Sequence, residues 1–116
     1  MSQTLETEDK IFELHASLCQ TLANPVRLRI LKLLRDGEMT VNEIARRLGI
    51  PQANISQHLS VLRDRNVLTT RREGVSIYYR IAYPKIIKAC DLVREVLFEQ
   101  MAESRHLVQR FGKPEK

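Results

Sequence analysis

A chain of 116 residues is long enough for one domain with a modest core. Its 43% hydrophobic and 28% charged residues describe a folded chain, and the absence of an apolar run near ~20 residues excludes a membrane-spanning helix. The net charge of +5 is unevenly placed: residues 27–88 hold 13 Lys/Arg against 5 Asp/Glu, while the two ends hold 6 against 9. A positive field concentrated in this way attracts phosphate. The acidic start MSQTLETEDK lacks the basic and apolar regions of a signal peptide, so a cytoplasmic protein with no membrane partner is expected.

The first predicted helix runs over residues 9–23, with Ile11, Leu14, Leu18 and Leu22 on one face. Asn24-Pro25 restarts the chain, since Asn can cap a helix and Pro suits its first position. The second helix presents Val26, Ile30, Leu33 and Leu34, and Gly37 is its expected stop. Thr40 and Glu43 have the Thr-x-x-Glu spacing of a capping box, which opens a third helix with Ile44, Ala45 and Leu48 inward and Gly49 at its end. A fourth helix follows Ile50-Pro51 and runs to about Arg65, with Ile55, Leu59 and Leu62 inward. Residues 67–72 and 75–81 read as two strands of a hairpin turning at Gly74, in which one of Tyr78 and Tyr79 packs inward. Pro84 opens a last long helix, over residues 84–108, with a narrow stripe of Ile86, Cys90, Val93, Leu97 and Met101. The tail from Phe111 is expected to fray.

Two short helices over residues 40–65 followed by a basic hairpin over 67–81 are the order of a winged helix-turn-helix. Reading a major groove needs an exposed helix whose first side chains are short, polar and able to donate and accept. The outward face of the fourth helix supplies Gln52, Asn54, Ser56, Gln57 and Ser60, with His58 a turn on and Arg63 and Arg65 near the phosphates. Its free N-terminal amides suit phosphate as well. Arg71 and Arg72 are placed at the hairpin tip, within reach of a minor groove or of flanking backbone. The plainer alternatives are a solvated polar helix and a solubilising turn.

The segments LANPVRLRILKLL and ISQHLSVLRDRNVL, the latter followed by RREGVSIYYRI, resemble the ArsR/SmtB family of small repressors, over residues 10–100. The resemblance implies a mainly α homodimeric winged helix-turn-helix, of about five helices and a two-stranded wing. It implies repression by binding a double-stranded DNA operator, and release by a metal, metalloid or thiol-redox signal. It implies pairing of protomers through the first and last helices, with which the apolar stripes at 11–22 and 86–101 are compatible.

Two departures bear on sensing. Arsenic and lead sensors of the family carry a cysteine box in the third helix, where this chain reads TVNEIAR; zinc sensors carry Asp, His, His and Glu along the last helix, where it has Tyr83, Lys85, Val96 and Glu99. Neither family metal site is present, so no cofactor is assigned. Three readings of the two cysteines stay open. Cys19 and Cys90 can be buried structural thiols, a redox pair, or, with His15 one turn before Cys19, a soft metal or metalloid site. No Gly-rich loop, carboxylate pair or nucleophile elbow accompanies a Cys-His pair, so an enzyme is not expected. The competing function is a winged helix that binds only other proteins and senses nothing.

Overall fold

A computed structural model describes residues 3–111. The elements are α1 (Gln3–Leu22), α2 (Pro25–Leu34), β1 (Met39–Thr40), α3 (Val41–Leu48), α4 (Gln52–Asp64), β2 (Leu68–Glu73), β3 (Ser76–Ile81) and α5 (Pro84–Phe111). The strands form one antiparallel sheet in the order β1-β3-β2. By its internal contacts the chain divides into two units, Met1–Pro84 and Lys85–Lys116, the second carrying α5. Helix α5 runs to Phe111, beyond the expected end at residue 108 and to the first residue of the tail expected to fray; the rest of that tail, residues 112–116, lies outside the described residues.

Local chemistry sets the helix ends. Asn24 is extended, and its side-chain oxygen accepts from the Val26 and Arg27 amides at 2.9 and 3.1 Å, with Pro25 at the first helical position. The capping box opens α3 as its spacing predicts: the Glu43 amide donates to Thr40 Oγ1 at 3.3 Å, and the Thr40 amide donates to Glu43 Oε1 at 3.3 Å. Left-handed Gly49 (φ 66°) closes α3 and lets the Ile50 amide return to the Ala45 carbonyl. Asn66 (φ 63°) does the same for α4 without glycine. Its amide reaches the Arg63 carbonyl and the Val67 amide reaches the Leu62 carbonyl, each at 2.9 Å. This is the Schellman pattern, and its usual apolar contact is present as Leu62 and Val67, both fully buried.

Helices α2, α3 and α4 pack pairwise, and α4 also lies on β2. The core they enclose contains Ile30, Leu31, Leu34, Ile44, Ile55, Leu59, Leu62, Val67, Leu68 and Tyr79. Ile55, Leu59 and Leu62 are the expected inward face of α4. In α2 the buried set is Ile30, Leu31 and Leu34, while Val26 and Leu33 are only half-buried. That helix is apolar on most of its surface, so spacing alone could not fix its inward face.

Several expectations are corrected. Helix α1 starts at Gln3, not near residue 9, because its first turns are polar and carry no apolar period to follow. Helix α2 ends at Leu34, and Gly37 lies three residues beyond it. The two-stranded wing is present as β2 and β3, and a third strand joins its sheet: Met39 and Thr40 pair with Tyr79 and Tyr78. Thr40 thereby caps α3 and holds β3 at once. Thr40→Ala is expected to cost about 0.5–2 kcal/mol of stability in urea unfolding, and Thr40→Ser, which keeps the acceptor, should recover most of it. Equal losses in both variants would show that the methyl contact, not the cap, is what matters.

Candidate nucleic-acid interface

Helix α4 turns Ile55, Leu59 and Leu62 into the core, and its 3.6-residue period places Gln52, Asn54 and Gln57 on the exposed side. Ser56 and Ser60 are half-buried at the margins of that face. The helix start is bare. Its N-cap is Pro51, which makes no side-chain cap bond, and no acidic residue stands in the first turn. The carbonyl of Pro51 accepts from Asn54 and Ile55, while the earlier amides have no intrahelical partner. Both α2 and α3 carry polar caps, so α4 departs from its neighbours at the end of a helix that suits an anion.

The wing differs from its sequence reading. Glu73 pairs with Ser76, so the two-residue turn is Gly74-Val75, with positive φ at Gly74 (61°) and not at Val75. That sign pattern belongs to a type II′ turn, which suits the right-handed twist of the strands. The tip is thus Gly74 and fully exposed Val75, and both arginines lie below it on β2. Arg71 is not free. It bonds Glu38 at 2.6 Å and Glu73 at 2.8 Å, and its guanidinium lies 4.6 Å from the centre of the Tyr78 ring opposite. The hydrogen bond from Arg71 holds the Glu38 carboxyl below the usual carboxylate range, and the same bonds raise Arg71. Arg72, paired across the strands with Ile77, is exposed and makes no hydrogen bond or ion pair among the described residues. Of the tyrosines, Tyr79 is the buried one. A groove of about 330 Å³ joins the wing to the helices, with Asn42 and Gln52 on one side and Val75 and Ile77 on the other.

The remaining predicted contacts are partly spent inside the protein. His58 is half-buried, and its Nδ1 accepts from Arg27 Nε at 3.2 Å, while Arg27 Nη1 donates to the Thr21 carbonyl at 3.0 Å. His58 is therefore a link between α4, α2 and the end of α1. Arg65 is tied too: its Nη1 donates to Ser17 Oγ at 3.0 Å. Arg63 is exposed beside Asp64 at 3.2 Å, a surface pair of little strength. Two residues outside the predicted site set, Asn42 and Val75, line the same groove as Gln52; only the assembled sheet reveals them.

The His58 link has a pH signature. Burial, and then the Arg27 charge, push its imidazole below the ordinary value of 6.5. An imidazolium has no acceptor left for Arg27. Above 6.5 the folded and unfolded states are both neutral at this site and the link is intact; as pH falls through 6.5 the unfolded state takes the proton first, so stability declines. Urea unfolding between pH 8 and 5 should show this acid loss in the wild type and less of it in His58→Gln, whose amide oxygen still accepts. Parallel curves would remove His58 from the account.

With the geometry in place, comparison with known proteins identifies the chain. A helix-turn-helix domain family matches residues 22–71. An uncharacterised HTH-type transcriptional regulator of Mycobacterium tuberculosis is 35% identical over 96 residues, 82% of this chain and 84% of its own. Its crystal structure superposes with a TM-score of 0.73 over 81% of this chain and 95% of the other, at 36% identity. The biofilm growth-associated repressor of Xylella fastidiosa is 39% identical over 85 residues, 73% and 75% of the two chains. A homodimeric winged helix-turn-helix DNA-binding domain of Mycobacterium bovis, a possible ArsR-family regulator, gives a TM-score of 0.76 at 32% identity, covering 89% and 93%. The chain belongs to the ArsR/SmtB family.

It is a winged helix-turn-helix transcriptional regulator and not an enzyme. Within this ArsR/SmtB chain the sensing candidates lie on α1 and α5. His15 and Cys19 are both exposed on α1 of the single chain. Cys90 is half-buried on α5; burial, with Asp91 adding to it and Arg94 opposing, pushes its thiol up. Among the described residues no three His, Cys, Asp or Glu side chains gather as metal ligands would.

Proposed function

We propose that this protein is a homodimeric repressor that sets two copies of α4 into successive major grooves of a near-palindromic operator. The observation that carries this reading is the exposed row Gln52, Asn54 and Gln57 beside an uncapped helix start. Gln and Asn pair two-pronged with adenine, and the free amides suit a flanking phosphate. Arg72 would hold the backbone or minor groove beside the site.

Dimerisation is supported by apolar surface left uncovered on each unit. Ile11, Phe12, Leu14 and Leu18 are exposed on α1; Leu92, Val93, Val96, Leu97, Phe98 and Met101 are exposed on α5. A monomer seldom keeps that much apolar surface in water, and the α5 face is wider than its sequence stripe suggested. The dimeric Mycobacterium bovis domain supports the same reading. The exposed thiol of Cys19 supports release of DNA by a thiol-directed signal.

Fluorescence anisotropy on an operator selected from random DNA tests the reading. Gln57→Ala should lose about 1–3 kcal/mol of preference per half-site at one base position, leaving other positions unchanged. A variant that binds and discriminates as wild type does would take Gln57, and with it the placement of α4, out of the groove.

A further inference from the structure

Helices α2 and α3 enclose a second groove, of about 410 Å³, on a different face of the molecule. Its floor is apolar: Leu33 of α2, Met39 of β1 and Leu48 of α3, each half-buried. Its rim is cationic. Arg29 and Lys32 rise from α2 and Arg47 from the last turn of α3, all exposed and with no side-chain hydrogen bond or ion pair among the described residues. Arg35 adds a fourth positive charge, and Asp36 is the one carboxylate on the rim.

No residue of α4 or of the β2–β3 wing lines this groove. Because α4 packs on both α2 and α3, the groove between those two helices that α4 does not line lies on their far side. A reading helix faces DNA with its outer surface, so this groove points away from DNA, and its cations have no phosphate to meet there. Like charges crowded together repel, and one carboxylate does not offset Arg29, Lys32 and Arg47 together, so an anion joining them is favoured.

We propose that the α2–α3 groove binds a small amphipathic anion, a carboxylate or phosphate head on an apolar body. The head would sit among Arg29, Lys32 and Arg47 and the body on Leu33, Met39 and Leu48. The volume falls in the range of small-molecule sites, about 300–1,000 Å³. Residues 29–34 of α2 span only about 8 Å of helix, too short for a docked partner helix or a standard protein interface. That favours a small molecule over an acidic peptide.

The test uses the full chain labelled with nitrogen-15, titrated with octanoate, octyl phosphate and uncharged octanol. Saturable amide shifts with octanoate or octyl phosphate, confined to residues 29–36, 39, 47 and 48, are the expected result; the tighter of the two names the head group, and octanol should give none. Arg29→Gln combined with Arg47→Gln should weaken the binding by about tenfold or more, through loss of two charge-assisted contacts, with the unfolding midpoint unchanged. Shifts spread over the apolar faces of α1 and α5, or affinity unaltered in the double variant, would overturn the proposal. So would a double variant whose operator binding becomes less salt-dependent, because the groove would then belong to the DNA contact surface.

Discussion

Raising the salt from about 50 to about 200 mM is expected to cost the operator complex roughly a thousandfold in affinity. The slope of log K against log salt is about −0.9 per phosphate neutralised. Three exposed guanidinium groups per protomer are candidates for that contact: Arg72 on the wing, Arg63 at the end of α4 and Arg46 in the last turn of α3. A dimer then neutralises about six phosphates, and a fourfold rise in salt gives a loss of that order. The structure sharpens the expectation, since neighbouring arginines on β2 should behave differently. Arg72→Gln removes two unpaired cations from a dimer and should flatten the slope by about 2. Arg71→Gln should hardly move it, because Glu38 and Glu73 already balance that charge. Titrations by anisotropy at four salt concentrations read all three proteins. A wild-type slope near zero would remove phosphate contacts as the source of affinity, and equal slopes in the two variants would refute the assignment of Arg71 as an internal brace.

The contrast between those two arginines marks the limit of what the sequence discloses. Features set by neighbours in the chain were legible: the Asn24-Pro25 start, the Thr40–Glu43 box, the Gly49 stop and the inward face of α4 all depend on bonds or contacts within a few residues. Features set across the fold were not. Arg71 looks free until Glu38, 33 residues earlier, is brought beside it, and His58 looks like a reader until Arg27, 31 residues earlier, claims its ring. Strand β1 is two residues long, too short to alternate, and it is ordered by β3 rather than by its own composition. A shift of the turn by one residue was enough to exchange the tip from arginine to Val75. The exposed polar face of α4 was therefore visible as a set of residue types, while which of the candidate residues are tied inside the protein needed the fold.

Leu59→Ala should test that division from the folding side, with an expected loss of about 2–5 kcal/mol. Leu59 is fully buried, in the middle of the Ile55–Leu59–Leu62 face, where α4 meets α2, α3 and β2. Three separate elements border the site, so no single one can collapse into the space left by the lost methyl groups, and the cavity term should be retained. Against a total stability of about 5–15 kcal/mol, such a loss removes a large share of the fold. Gln57, two residues earlier and exposed, offers the matched control: its replacement by Ala should shift stability by no more than about 0.5 kcal/mol while eroding base preference. Urea unfolding at one fixed protomer concentration compares the two, since stability coupled to dimer formation depends on that concentration. The midpoint for Leu59→Ala should fall with the slope unchanged. A loss below about 1 kcal/mol would mean that α4 is not clamped by three neighbours, and a helix so loosely held could not keep Gln52, Asn54 and Gln57 in register with the bases.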